Sequence, residues 1–134
     1  MDLYREMHPL DPSRSQPDAE AILARIALYP GSAVFVAWIG DALVATCTLV
    51  VAPNLTRAGA PFALIENVVT ASSFRRHGHG RAVLDAAINA SWRAGCYKVM
   101  LLTGSQNPAT LRFYQQVGFE QSKTGFQIRR PGTS

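Results

Sequence analysis

The 134-residue sequence predicts a single α/β domain, built on a mixed and mostly antiparallel sheet with helices on both faces. Two β-rich runs meet at Gly40-Asp41, which is typical of an antiparallel hairpin. A third apolar run, a segment of helical periodicity and a fourth apolar run then follow in turn, as in a parallel strand–helix–strand crossover. The hydrophobic fraction of 48% and the charged fraction of 16% are typical of a globular chain that can bury a core.

The N-terminal segment predicts two helices. Residues Leu3 to Pro9 can form a short helix that the proline ends. Ser15 is a candidate N-cap of the second helix, in which Pro17 occupies the first turn, where proline is tolerated. Tyr29-Pro30-Gly31 ends this helix. One of its faces is apolar and consists of Ile22, Leu23 and Ile26.

The rest of the chain alternates predicted strands and helices. The predicted strands are 33–39, 42–51, 62–70 and 97–103, with two short strands within 119–128. A helix from about Gly80 to Gly95 has apolar residues at helical spacing, namely Val83, Leu84, Ala87, Ile88 and Trp92. Asn107-Pro108 begins the last helix, Gly118 ends it, and residues 129–134 are expected to fray. Because the fourth strand is nearly all apolar, we expect it to lie in the centre of the sheet.

Composition and charge limit the classes of protein to consider. The apolar stretches are too short to span a bilayer, and "MDLYREMHPL" lacks the basic start and apolar block of a signal peptide. Cys47 and Cys96 lie far apart in apolar runs, so we expect buried free thiols in a reducing compartment rather than a disulfide. The net charge of +4 and the pI near 9.5 indicate an anionic partner without identifying it.

A basic, glycine-spaced segment, "FRRHGHGRAV", runs from Phe74 to Val83. Nucleic acid is disfavoured as its partner, because the next charge along the helix is Asp85 and no aromatic residues are interleaved. A metal is disfavoured because His77 and His79 have no Cys, Asp or Glu nearby to complete a ligand set. We expect both imidazoles to face solvent.

An anion at the start of the helix explains this segment better. The first turn of a helix leaves N–H groups unpaired at the positive end of its dipole. Basic residues near that end are repelled by the positive end of the dipole. Their presence there is explained if a polyanion binds between them and the helix. Glycines let phosphates approach the backbone, since no Cβ stands in the way. The residues concerned are Arg75, Arg76, Gly78, Gly80 and Arg81.

Two motifs resemble those of the GNAT superfamily of acetyl-CoA-dependent N-acetyltransferases. The run from Arg75 to Gly80 is similar to the family's pyrophosphate loop, Q/R-x-x-G-x-G/A, and like it follows a strand and opens a helix. "NPATLRFYQQVGF", from Asn107 to Phe119, resembles the family's later segment. "IENVVT" and "CYKVMLLTG" are similar to the glucosamine-6-phosphate N-acetyltransferase branch. The resemblance covers Ala33 to about Ile128.

The resemblance implies direct acetyl transfer to a small primary amine in a ternary complex, with no metal. It assigns the pyrophosphate of acetyl-CoA to the backbone amides of residues 76–81, and the pantetheine arm to free backbone groups of the strand 62–70. The arginine side chains either touch phosphates or form a solvated surface, and the valine side chains belong to the core. The implied cofactor-binding residues are Val68, Val69, Arg75, Arg76, His77, Gly78, His79, Gly80, Arg81 and Asn107.

Glu66 and Tyr114 are the catalytic residues that the resemblance implies. A lone carboxylate in an apolar strand resists ionisation, which suits a general base, although Glu66 is alternatively a structural acid. Tyr114 would hydrogen-bond or protonate the departing thiolate, or is alternatively a core aromatic. Asn67 either orients substrate or closes a bulge. Asn107 caps its helix, bonds the CoA arm, or does both.

The chain departs from the family pattern at its N-terminal part and in the loop. Many members carry glycine at the position of Arg76 and proline near Ser72. The family's usual first strand is not seen before Leu3, so it is either missing or the chain begins inside the usual fold. We expect the acceptor at Leu3 to Pro30 and at the loop 54–61. Its identity stays open, with an amino sugar phosphate as the leading candidate.

Two rival functions remain. One is a CoA-binding or regulatory module without turnover, and the other is an acetyltransferase of a protein or peptide amine. The presence of both Glu66 and Tyr114 favours an enzyme over the module. The resemblance also implies a homodimer, and acetyl-CoA together with free cysteines indicates the cytoplasm. We expect neither a nucleic acid nor a membrane partner.

Overall fold

Two helices, a four-stranded sheet and two further helices make up the computed structural model, which describes residues 2–12 and 14–133. In chain order the elements are α1 (Asp2–Met7), α2 (Gln16–Ala27), β1 (Ala33–Ile39), β2 (Ala42–Ala52), β3 (Phe62–Thr70), α3 (His79–Arg93), β4 (Val99–Leu101) and α4 (Pro108–Val117). Short 3-10 turns cover Arg57–Gly59 and Ser72–Phe74. β1 and β3 have the predicted bounds. Residues 129–133 of the predicted tail are neither helix nor strand, and residue 134 lies outside the described residues.

The strands pair in the order β1-β2-β3-β4. The first two pairs are antiparallel and the last is parallel, so the predicted hairpin and the parallel β3–β4 pair are confirmed. The predicted central position of the fourth strand is wrong, because β4 has three residues and is the last strand of the described sheet. Residues 119–128 form no strand, and their apolar side chains Phe126 and Ile128 are 91% and 97% exposed.

β2 forms the centre of the core. All six side chains from Val44 to Leu49 are buried, and consecutive side chains of a strand point to opposite faces. Both faces of the sheet are therefore covered at β2. α3 and α1 each contact β2 and β3, while α2 contacts β1. Each fully buried valine or leucine contributes roughly 1.5–3 kcal/mol to the free energy of unfolding.

The helices that flank the sheet bury less apolar surface than the sequence predicts. Ser15 caps α2 as predicted, with its Oγ accepting from the Asp18 N–H at 3.2 Å. Ile22 and Leu23 of the predicted apolar face are nevertheless 42% and 44% exposed. On α3 the residues Val83, Leu84 and Ala87 are buried, but Trp92 is 52% exposed. Ser91 takes the next inward position instead.

β3 carries one extra residue where it pairs with the middle of β2. Cys47 faces two residues, Asn67 and Val68, because the pairs on either side are Thr46↔Val69 and Thr48↔Glu66. Asn67 has a φ of +54°. Asparagine tolerates this left-handed region better than most other residues, and an extra residue of this kind makes a β-bulge. Of the two predicted roles of Asn67, the structure therefore shows the bulge.

The chain divides into two compact units, of which one runs to Leu101 and the other begins at Leu102. α4 belongs to the second unit and begins as predicted, with the Asn107 side-chain oxygen accepting from the Ala109 N–H at 2.9 Å. Gly118 ends it. That the whole chain acts as one domain stays a prediction. Across residues 2–12 and 14–133, none of the helices has the length and apolar character that crossing a membrane requires.

The bulge at Asn67 predicts opposite effects for two substitutions. Asn67→Val should lower the free energy of unfolding by about 1–3 kcal/mol, because a β-branched residue is strained at positive φ. Asn67→Gly should change it by less than about 1 kcal/mol, since glycine adopts this conformation without strain. Urea unfolding followed by circular dichroism compares the two. Equal losses would show that the asparagine side chain matters rather than its backbone conformation.

Candidate functional site

An open edge of β3 begins at Glu66. β3 pairs with β4 only from Ala63 to Ile65, so the residues from Glu66 to Thr70 extend past the last parallel pair. The sequence predicts apolar surroundings for Glu66, and this is wrong, because its side chain is exposed. Its position does place it at the point where β3 leaves β4.

The bulge decides which backbone groups of β3 face the open edge. The Ala63 N–H donates at 3.0 Å to a carbonyl just before β4, whereas the Ala71 N–H donates at 2.8 Å to a carbonyl of β2. In a regular strand, the backbone N–H and C=O groups of every second residue point to the same neighbouring strand. Without the extra residue, Ala63 and Ala71 would therefore both point toward β4. Past the bulge, the even-numbered residues Val68 and Thr70 therefore face the open edge. Val69 pairs with β2 instead, and its side chain is buried.

The start of α3 presents backbone amides without a side-chain cap. Gly78 is the N-cap at a φ of +82°, and in the described part of the chain no side chain caps the helix and no acid lies in its first turn. Arg76, two residues earlier, has a φ of +66°. Left-handed residues in such a turn direct neighbouring N–H groups to one concave side, which suits an anion. We call the amides of residues 76–81 the cradle.

The arginines around the cradle differ in their partners. Arg75 donates from Nε to the Thr70 carbonyl at 3.3 Å, so it supports the loop and occupies that carbonyl, while the Val68 backbone groups stay directed to the open edge. Arg81 lies 3.6 Å from Asp85, one turn further along α3. The Arg76 side chain is exposed, and its positive φ explains why a glycine suits this position.

The two histidines of the loop are not equivalent. His77 is exposed, as the sequence predicts, but His79 is half-buried, and its ring packs edge-on against Phe74 at 6.3 Å. The two imidazole centroids are 6.3 Å apart. Among residues 2–12 and 14–133, no three His, Cys, Asp or Glu side chains come together as a metal site would require. The histidines belong to the cradle through their backbone.

Asn107 and Tyr114 lie in the second unit. The Asn107 side-chain oxygen is occupied by the helix cap, so of its two predicted roles the structure shows capping. Tyr114 is half-buried on α4. Its ring centroid lies 5.3 Å from that of Phe113 and 6.2 Å from that of Phe119. This packing restricts the directions in which the phenol can point.

Glu6 is a residue that sequence reasoning missed. Its carboxylate accepts a hydrogen bond from the Ser72 N–H at 2.8 Å and lies 3.9 Å from the Arg75 guanidinium. Glu6 is on α1, whereas Ser72 and Arg75 are in the loop that leads to the cradle. Nothing in the local sequence around Glu6 signals a contact 66 residues away.

Comparison with known sequences matches this chain to one protein family. The model described as "Acetyltransferase (GNAT) family" matches residues 1–119. A glucosamine 6-phosphate N-acetyltransferase from Trypanosoma brucei brucei is 35% identical over 77 residues. That match covers 58% of this chain and 50% of the relative, so the chain spans about half the length of the curated relative.

Comparison with solved structures gives the same fold. A provisionally assigned acetyltransferase from Agrobacterium tumefaciens strain C58 has a TM-score of 0.88 and is 49% identical, over 96% of this chain and 90% of the other. An aminoglycoside N-acetyltransferase solved in complex with CoA has a TM-score of 0.77 over 97% of this chain and 85% of the other. It is 18% identical, so this likeness concerns the fold alone.

Two substitutions in the cradle should change stability in opposite directions. Arg76→Gly should raise the free energy of unfolding by about 0.5–1 kcal/mol. Glycine adopts a positive φ without strain, and the strain relieved exceeds the extra conformational entropy that glycine loses on folding. Gly78→Ala should lower it by about 1 kcal/mol or more. No atom lies within 4 Å of the added Cβ, so this cost is conformational. Thermal unfolding compares both, and the reverse ranking would contradict the backbone description.

Proposed function

Because this chain belongs to the GNAT acetyltransferase family, we propose that it transfers an acetyl group from acetyl-CoA directly to a small primary amine. The observation that carries this proposal is that the open edge of β3 lies just before the uncapped start of α3. The two features suit the two parts of one extended ligand, an amide-bearing arm and a pyrophosphate. Acetyl-CoA supplies the activated acetyl group, and CoA leaves as the thiol.

The cradle suits the pyrophosphate. Its amides lie at the positive end of the α3 dipole, and Arg75, Arg76 and Arg81 add positive charge around it. Arg75 and Arg81 each lie near one carboxylate, but the described residues supply neither a side-chain cap nor a first-turn acid to the start of α3, so a polyanion provides the negative charge that these amides lack. Gly78 allows close approach, since no Cβ covers the amides there.

Val68 suits the pantetheine arm. Its backbone N–H and carbonyl face the open edge, where an extended ligand can add to the sheet as another strand would. Main-chain hydrogen bonds of this kind bind the arm without requiring a particular side chain, and the half-buried Val68 side chain stays with the protein. The direction of the arm along β3 then leads from the cradle toward Glu66.

We assign Glu66 as the general base. It lies two residues from Val68, at the point where β3 leaves β4. A carboxylate there can accept the proton that the amine loses, either directly or through water. Holding the amine beside the thioester converts a bimolecular encounter into a reaction between positioned groups. Exposure of the side chain is compatible with this role, because an incoming amine must reach it.

Tyr114 is our candidate for the general acid. As the bond from the amine nitrogen to the acetyl carbon forms and the carbon–sulfur bond breaks, its phenol donates a proton to the sulfur. The proton that Glu66 takes from nitrogen and the proton that Tyr114 gives then balance. The support for this role is the position of Tyr114 in "NPATLRFYQQVGF", together with ring packing that restricts its side chain.

The two cysteines favour direct transfer over an acetylated enzyme. Cys47 is fully buried, and burial raises the pKa of its thiol to about 11. Cys96 is also buried, and burial raises the pKa of its thiol as well. The thiolate is the reactive form of cysteine, so a protonated, inaccessible thiol is a poor nucleophile. An acetyl-cysteine intermediate is therefore disfavoured.

The acceptor class follows from the curated relative rather than from geometry. An amino sugar phosphate is our leading candidate, because the Trypanosoma relative is a glucosamine 6-phosphate N-acetyltransferase. We place the acceptor near α1, α2 and the loop after β2. In that loop the Asn54 side-chain nitrogen donates to the Ala60 carbonyl at 3.2 Å and holds its two ends together. On the family resemblance we further propose a cytoplasmic homodimer.

Release of CoA thiol over a panel of amines tests the proposed reaction. The panel contains amino sugar phosphates, aminoglycosides, amino acids, polyamines and a peptide. We expect release with at least one small amine, and mass spectrometry should show a product heavier by one acetyl group. Tight binding of acetyl-CoA without release for any amine would support a binding module instead. Release with the peptide alone would support a protein acetyltransferase.

Two variants test the assigned proton transfers. Tyr114→Phe should lower kcat by about 100-fold or more, since general acid catalysis typically contributes at least that much. Glu66→Gln should lower kcat by a similar factor at neutral pH, because the amide cannot take a proton. Glu120→Gln is an exposed matched control outside the catalytic residues and the acceptor segments, and it should leave kcat unchanged. A kcat within about twofold of the parent for Tyr114→Phe would show that the acid assignment is wrong.

A further inference from the structure

We propose that Glu6 is a positioning residue that couples the cradle to α1, so that binding of acetyl-CoA stabilises α1. The Glu6 carboxylate accepts from the Ser72 N–H at 2.8 Å and faces the Arg75 guanidinium at 3.9 Å. The identity of the ligand rests on the proposed function, whereas the contact itself does not. Glu6 touches neither the cradle amides nor Val68, so it acts through the loop.

α1 depends on tertiary anchors. It has six residues, and isolated helices of that length are unstable in water. Leu3 is one anchor, because it is 6% exposed in a helix that contacts β2 and β3. Glu6 is the other, since it bonds the loop one turn further along the helix. Loss of the Glu6 anchor should therefore loosen α1 without exposing the core of β2.

The loop depends on the same contact. Ser72 lies just past the end of β3, and three residues later Arg75 donates back to the Thr70 carbonyl at 3.3 Å. Glu6 bonds the middle of this turn and contacts its arginine. The hydrogen bond to Ser72 is the stronger of the two contacts, because it is short and charge-assisted. The pair with Arg75 is longer and partly exposed, and such pairs contribute little.

One contact shared by two segments couples their stabilities. A ligand that holds the loop in its hydrogen-bonded conformation also favours α1, and loss of the contact weakens ligand binding by the same factor. We place the acceptor beside α1 and α2. Binding of acetyl-CoA would therefore stabilise α1, beside the proposed acceptor site, before the amine binds. Glu6 would in this way favour binding of acetyl-CoA as the first substrate.

Limited trypsin digestion reads the stability of α1 directly. Arg5 lies within α1, so cleavage after Arg5 requires local opening of the helix, while cleavage after Arg14 serves as an internal reference. In the parent protein, saturating acetyl-CoA should slow cleavage after Arg5 by about fivefold or more. Glu6→Ala should abolish this protection, taken as the ratio of the cleavage rates with and without acetyl-CoA in the same variant, and raise the calorimetric Kd of acetyl-CoA by the same factor.

Glu120→Ala is the matched control. It removes the same charge from an exposed position in the second unit, outside the segments where we place the acceptor. It should behave like the parent protein. Glu6→Gln keeps an acceptor for Ser72 but loses the charge, so protection and Kd should change together by a smaller factor of about two. If Glu6→Ala does not fold, Glu6→Gln tests whether Glu6 couples acetyl-CoA binding to the stability of α1.

Unchanged protection and unchanged Kd in Glu6→Ala would overturn the coupling. A parent protein that binds acetyl-CoA without protecting Arg5 would also overturn it, and would leave the proposed transferase untouched. A parent protein that does not bind acetyl-CoA would overturn the proposed function. In that case the coupling to acetyl-CoA fails with it.

Discussion

The uncapped amides at the start of α3 constrain the rest of the site. A helix N-terminus normally has a side-chain oxygen or an acid close to it, and here Gly78 and three arginines stand at that end instead. Glu6 and Asp85 lie near two of these arginines, but in the described part of the chain no side chain caps the amides themselves, and a bound anion would do so. The loop must therefore hold its left-handed turns before the ligand arrives. Its attachment to Thr70 and to Glu6 provides that support.

The extra residue in β3 adapts a regular sheet for binding. Without it, the backbone groups of Val69 would face the open edge; with it, those of Val68 do. The extra residue requires Asn67 to adopt a positive φ, which is strained for most residues. The residue opposite the bulge on β2 is Cys47, whose Sγ contacts the Val83 carbonyl of α3 at 3.5 Å. Cys47, which lies opposite the bulge, thus packs against the helix that bears the cradle. Both parts of the proposed acetyl-CoA site are held by the same core.

Local chemistry explains which predictions from the sequence are confirmed. β1 and β3 are rich in β-branched residues, and Asn107-Pro108 caps a helix by itself, so their bounds follow from neighbouring residues. Apolar content alone predicts burial wrongly where distant partners are needed. β4 is the last strand of the described sheet, and Trp92, Phe126 and Ile128 are exposed. Glu66 is exposed at the point where β3 extends past β4, and the extent of that pairing depends on residues distant in the sequence. Glu6 was missed because its partners are distant in the chain.

The central claim is that backbone amides of residues 76–81 bind the pyrophosphate of acetyl-CoA while Val68 binds its pantetheine arm. Titration of ¹⁵N-labelled protein, followed by amide chemical shifts, tests it with two ligands, acetyl-CoA and acetyl-pantetheine, which lacks the pyrophosphate. We expect both ligands to shift the Val68 amide, and acetyl-CoA alone to shift the amides of residues 76–81. Equal shifts at residues 76–81 with both ligands, or none with acetyl-CoA, would contradict it.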